Sequence, residues 1–210
     1  MSSTHSNPFI QGGWYGTSMF SLGPDQGSQP PSVYGALPMT GGSGPTGSSA
    51  GNVHFQFTNP NPNILNSIVV GPAQRPVIKV TTDQSLAGYT TFKDTENRSV
   101  ALVEWQTRPK VEVRGSVSKT NAADWLRVAM DQNFGRPVRQ MEVRGAKFTW
   151  CPSGESLLLF TQTPNSNPVV TATKNRHFVD LEMTEQAIQW GLLEPCIVAI
   201  TLLLSGRRLE

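Results

Sequence analysis

The sequence predicts a mainly β protein with minor α content, a closed antiparallel β-barrel around a buried hydrophobic C-terminal helix, carried behind a Gly/Ser/Pro-rich tail. Three observations predict it. Short apolar segments with period-two alternation recur from Val53 onward, with Gly, Pro, Asn or Asp at most junctions, as in barrels and sandwiches. The run Cys196-Ile-Val-Ala-Ile-Thr-Leu-Leu-Leu204 is apolar on all sides, and such a segment must be surrounded by protein. The first fifty residues are too poor in aliphatic side chains to offset the entropy of ordering their backbone.

Of the 19 glycines, 11 fall within residues 1–51, a stretch without Lys or Arg and with one acid, Asp25. Residues 1–52 therefore read as a disordered tail and 53–208 as one β-barrel domain, large enough for a real core. Phe9, Trp14, Tyr15, Phe20 and Tyr34 punctuate the tail. Spaced aromatics in such a setting act as self-association stickers, against the plainer reading of an inert tether. The closing Leu209-Glu210 reads as a cloning scar ahead of a purification tag.

Within the domain, Val53-His-Phe-Gln-Phe57 alternates as a half-buried strand does. Asn59-Pro-Asn-Pro-Asn63 is turn chemistry, since Pro presets φ and Asn satisfies local backbone groups. Strands are then expected at 65–70, 77–82, 89–93, 100–106, 111–114, 139–144, 147–150, 157–162, 169–173 and 178–182. Residues 121–130 carry good helix formers behind Thr120 or Asn121 as N-cap, with Asp124 in the first turn. A short helix is expected over Glu185–Trp190 after Thr184. The run 196–204 fits either a core strand or a buried helix by periodicity. Pro195 in a first turn, Gly206 at the C′ position and Arg207-Arg208 beyond it favour the helix. Glu112-Val-Arg-Gly115 recurs as Glu142-Val-Arg-Gly145, and both copies read as a strand ending in a Gly turn.

The folded part is only mildly basic, with 17 basic and 14 acidic residues from Gly51 onward, too little for non-specific nucleic-acid binding. The charge is uneven: between Arg108 and Lys147 nine basic residues face four acids. Solvated strand faces account for such a stretch; an anionic-ligand face such as a lipid-headgroup surface is the sharper reading. No basic n-region precedes an apolar h-region, and the longest apolar run is too short to span a bilayer. With two cysteines and no metal-ligand spacing, the chain reads as intracellular with reduced thiols.

Phe57-Thr-Asn-Pro-Asn-Pro-Asn-Ile-Leu65, Val103-Glu-Trp105, Val111-Glu-Val-Arg-Gly115, Leu181-Glu-Met-Thr184, Leu192-Leu-Glu194 and Leu202-Leu-Leu-Ser-Gly-Arg207 together resemble an uncharacterised domain family expanded in mushroom-forming fungi. That family is grouped with the Tubby C-terminal-like fold, alongside plant LURP-one-related proteins and phospholipid scramblases. The resemblance covers about residues 53–208 and implies a closed, mainly antiparallel barrel around a hydrophobic C-terminal helix. Tubby relatives bind phosphoinositides through surface Lys and Arg. No such motif matches this chain residue by residue, so the resemblance assigns no binding residue, and the scramblase calcium-binding segment has no acidic counterpart here.

The residues show no catalytic constellation. His177 and Asp180 are three strand positions apart and face opposite ways, and a Cys151–His177 dyad lacks a third group and an oxyanion site. Ser153 and Ser156 lie outside any Gly-x-Ser-x-Gly elbow, and the tail glycines lack the strand, helix and Lys of a phosphate loop. The expectation is a non-enzymatic module without cofactor or metal. It would bind anionic phospholipid headgroups through Arg108, Arg114, Arg139, Arg144 and Lys147, and would be cytoplasmic or peripheral to a membrane. The alternative is a self-assembling scaffold or adaptor, its partner a second copy held through the aromatic tail.

Overall fold

The computed structural model describes residues 51–58, 60, 63–83, 88–131, 135–163 and 166–210, with Asp131 by its backbone alone. All fall in one compact unit, Pro45–Glu210. The expected tail up to residue 50, with its aromatic positions and His5, lies outside the described residues.

Thirteen antiparallel strands form one sheet among the described residues. The first seven are β1 (Asn52–Thr58), β2 (Ser67–Val70), β3 (Pro76–Thr82), β4 (Tyr89–Lys93), β5 (Ser99–Glu104), β6 (Lys110–Val113) and β7 (Val117–Asn121). The short helix α1 (Ala122–Trp125) links them to β8 (Arg127–Asp131), β9 (Arg136–Val143), β10 (Ala146–Ser153), β11 (Ser156–Thr161), β12 (Val170–Lys174) and β13 (Val179–Thr184). Helices α2 (Glu185–Gln189) and α3 (Leu193–Leu204) follow. Each half is a meander of sequential neighbours, and the two meanders are stitched together by β1 against β13, from Asn52 opposite Thr184 to Phe57 opposite Val179. Short connections and antiparallel pairs explain why pattern and turn residues alone located most of these strands.

The sequence placed the C-terminal helix correctly. Pro195 through Leu202 are buried without a break, so α3 is the centre of the core, and the sheet supplies its surroundings. Its one interior hydroxyl, on Thr201, is satisfied by donating to the carbonyl of Ile197 at 2.8 Å, which removes the cost of burying it. Gly206 follows the helix at φ +72°, the left-handed conformation that a C′ glycine supplies. Thr184 caps α2, its hydroxyl accepting from the Ala187 amide at 3.2 Å. Phe57, Val69, Phe92, Val103, Leu159, Leu181 and Met183 pack in the same core as Ile197 and Ile200.

Two expectations are corrected. The helix foreseen over 121–130 stops at Trp125, where Leu126 leaves helical geometry at φ −105°, ψ 61°. The following Arg127-Val-Ala-Met-Asp131 pairs residue for residue with β9. A free strand edge outcompetes helix propensity there, because four helical residues stabilise little by themselves. β7 was missed for the same reason, since Val117-Ser-Lys-Thr-Asn121 has one buried apolar side chain and its place comes from pairing with β6. The expected closed barrel is met as a mainly β antiparallel sheet holding a buried helix. The described ladder leaves β7 and β8 as edges. Between them, α1 receives its ties from both meanders. The Ala122 amide donates to Pro109 O at 2.7 Å, and the Trp125 indole N–H donates to Glu142 O at 3.0 Å.

Candidate functional site

Two hairpin turns and the α2–α3 link meet at one end of the sheet. The β9–β10 turn has two residues, Arg144 at φ +52° and Gly145 at φ +80°, the paired left-handed conformations that match strand twist. Such a backbone is uncommon for Arg, and its side chain accounts for the placement. Arg144 Nε donates to Gly115 O of the β6–β7 turn at 3.3 Å, so the two Glu-Val-Arg-Gly copies touch. The same guanidinium lies against Gly191, which has φ +69°.

A Cβ on Gly191 would fall 2.8 Å from Arg144 Nη1 and 3.3 Å from its Cζ. Gly191→Ala therefore meets backbone strain and also displaces the exposed Arg144 guanidinium, and is expected to destabilise the fold by about 1–3 kcal/mol, most of it from the backbone. Gly115 also has positive φ, but nothing lies within 4 Å of its would-be Cβ. Gly115→Ala should carry the backbone term alone, about 1–2 kcal/mol. Denaturant titration of the pair separates the two contributions.

Beside this junction is a groove of about 330 Å³ lined by Val143, Arg144, Ala146, Lys147, Phe148, Thr161, Thr163, Trp190 and Leu192. Its floor is aromatic: Phe148 and Trp190 lie with ring centroids 6.1 Å apart, tilted by 48°. Trp190 is 38% exposed, an unusual degree for a residue that normally dominates a core. Arg144 and Lys147 stand exposed at the rim. Lys147 is opposite Glu142 in the ladder, yet among the described residues neither cation stands in an ion pair. The site thus offers an apolar cradle flanked by two positive charges.

The other expected basic residues are elsewhere. Arg114 lies in the neighbouring β6–β7 turn, in a hollow that it shares with Glu112. Arg108 and Arg139 lie toward the opposite end. Arg139 donates to Leu126 O at 2.9 Å and pairs with Glu210 at 2.6 Å, which holds the Glu210 carboxyl below the usual carboxylate range. Arg108 lines a concavity with Asp124 and Glu210. The α3 helix, about 18 Å long by its 12 residues, separates these ends. Past its far terminus the Arg207 guanidinium sits 4.5 Å from the Trp105 ring centroid, a cation–π contact. The 108–147 basic stretch is thus divided by strand direction, and two of the five residues share the aromatic groove. Trp190 was not singled out as a binding residue, because its exposure depends on where the α2 end docks.

Cys151 and Cys196 are buried thiols, not joined to one another, and burial pushes the Cys196 thiol well above its usual range, which leaves it unreactive. His177 is exposed before β13. Asp180 accepts from Gln56 Nε2 and Asn175 Nδ2, each at 2.9 Å, a structural arrangement. Leu209, read as part of a scar, is buried in the core. No helix among the described residues is long and apolar enough to cross a membrane.

No curated protein matches the chain. Among solved structures, a protein from Arabidopsis thaliana with an X-ray structure is similar over 73% of this chain and 92% of its own, at 10% identity and a TM-score of 0.41. A family model described as a family of unknown function, DUF6593, matches residues 62–205. That match spans most of the 210 residues, and the chain belongs to the DUF6593 family.

Proposed function

We propose that this protein is a non-enzymatic module that binds an anionic phospholipid at the groove beside α2. The observation that carries this reading is one groove with an aromatic floor, a partly exposed Trp190, and Arg144 and Lys147 at the rim without ion-pair partners among the described residues. An anionic headgroup satisfies the two cations, and the glycerol and proximal acyl carbons cover the Phe148–Trp190 pair, as amphipathic aromatics do at membrane interfaces. Arg114, one turn away, adds to the same field. Arg108 and Arg139 do not belong to this site. The finer architecture that suits the reading is a barrel-like sheet of the Tubby C-terminal-like group, with β7 and β8 as its two margins. Its place would be the cytoplasm, at the periphery of a membrane.

Co-sedimentation with vesicles tests it, using neutral vesicles and vesicles doped with phosphoinositide at low and physiological salt. The expected result is binding that requires the anionic lipid and weakens as salt rises. Lys147→Ala should lower the affinity roughly fivefold, about the worth of one basic residue near an anionic surface. Arg108→Ala, at the far end, should leave it unchanged. No binding at either salt, or equal losses from both variants, would overturn the proposal. Association through the aromatic tail would then be the reading to pursue.

A further inference from the structure

The two edges of the sheet are built differently. β7 exposes Ser118 and Lys119, and a polar, lysine-bearing edge resists pairing with another chain. β8 exposes Val128 and Met130, at 51% and 71%, alternate residues on one side of the strand. Among the described residues β8 is paired with β9 alone. The β8–β9 pairing also extends past that of β9 with β10. β10 pairs with β9 only from Val143 back to Arg139, so Arg136–Val138 have β8 as their ladder partner. β8 is thus the outer strand of the sheet, with two exposed apolar side chains and, among the described residues, no ladder partner on its outer side, an arrangement that can accept a further strand.

The strand's own sequence names its complement. Arg127-Val-Ala-Met-Asp131 reads the same way chemically from either end: cation, apolar, small, apolar, anion. An antiparallel neighbour of the same sequence, related by a two-fold axis at Ala129, sets Arg127 opposite Asp131 twice and Val128 opposite Met130 twice. Opposite charges and apolar pairs facing across strands both stabilise an antiparallel ladder. A parallel arrangement would set like charges together. The patch is thus self-complementary, as a two-fold interface requires.

We propose that β8 is a homodimerisation edge, occupied by β8 of a second copy in antiparallel register about Ala129. The lipid groove is separate from it, because Lys147 stands opposite Glu142, past the Arg136–Gln140 stretch that β8 covers. Five residues make a short seam at the low end of interface size, so the dimer should dissociate on dilution through roughly the micromolar range.

Sedimentation velocity of the full chain over a concentration series tests this. The expected result is a shift from one to two copies as concentration rises. Met130→Asp, which sets a carboxylate against Val128 of the other copy, should weaken the dimer by roughly tenfold or more. Arg127→Glu should weaken it through like charges at both ends, and Arg127→Glu with Asp131→Arg should restore it, since the pair is merely reversed. Both single changes are on exposed side chains, and a thermal melt read by circular dichroism checks that the fold is kept. A monomer at every concentration would overturn the proposal, as would a dimer indifferent to Met130→Asp or a double variant as weak as Arg127→Glu. A dimer that persists in Met130→Asp but is lost on removal of residues 1–50 would assign association to the tail and also overturn it.

Discussion

Ile200→Asp is expected to abolish folding. Ile200 lies on α3 with no measurable exposure, inside eight consecutive buried residues. It belongs to one buried apolar cluster with Ile197 and Leu202. A carboxylate there is cut off from bulk solvent. Burying it unpaired costs several kcal/mol or else forces its protonation. Losing the isoleucine side chain costs about 2–5 kcal/mol more, against a total stability of roughly 5–15 kcal/mol for a domain. The measurement is soluble yield with near-ultraviolet circular dichroism, where the variant should show no cooperative melt. Ile200→Val, which removes one methylene, should cost only about 0.5–1.5 kcal/mol and fold normally. A folded Ile200→Asp protein would mean that α3 is not the centre of the core.

Trp150→Ala should be the most damaging large-to-small change within the sheet. Trp150 is 1% exposed in the middle of β10, between Arg139 on β9 and Leu159 on β11. Its indole N–H donates to Met141 Sδ at 3.3 Å, so the polar end of the ring is accommodated in the core. Truncation removes the apolar burial and leaves a cavity that the strands cannot close, because their spacing is fixed by the backbone ladder. The expected cost is about 3–5 kcal/mol, which for a domain of this size lowers Tm by roughly 10 °C. Differential scanning calorimetry reads it directly. Trp190→Ala, at a partly exposed position, should cost much less while still impairing the groove. A loss at Trp190 equal to that at Trp150 would place the Phe148–Trp190 pair among the core supports.

The locally written parts of the molecule were legible. α3 could be read because Pro195, Gly206 and an unbroken apolar run agree with one another. Thr184 caps α2 through a bond to an amide three residues away, a relation contained in four consecutive residues. Most strands alternate and end at turn residues, so side-chain period and turn chemistry carry them. Both Glu-Val-Arg-Gly copies end strands, as their glycines require.

What the tertiary structure decided is which distant residues become neighbours. Residues 127–131 continue a run of helix formers, and the edge of β9 made them a strand instead. The five basic residues are close in sequence, yet successive antiparallel strands carry their ends in opposite directions. Arg144 and Lys147 therefore stand at one end of the sheet, and Arg108 and Arg139 lie toward the other. Trp190 gained its meaning from docking against Phe148, 42 positions earlier in the chain. The sequence by itself determined that the chain would build a mostly antiparallel β structure around a buried helix, because periodicity, caps and turns act within a few residues. Only the tertiary structure decided where the groove and the open edge lie, because strand register and helix docking join residues that no local signal connects.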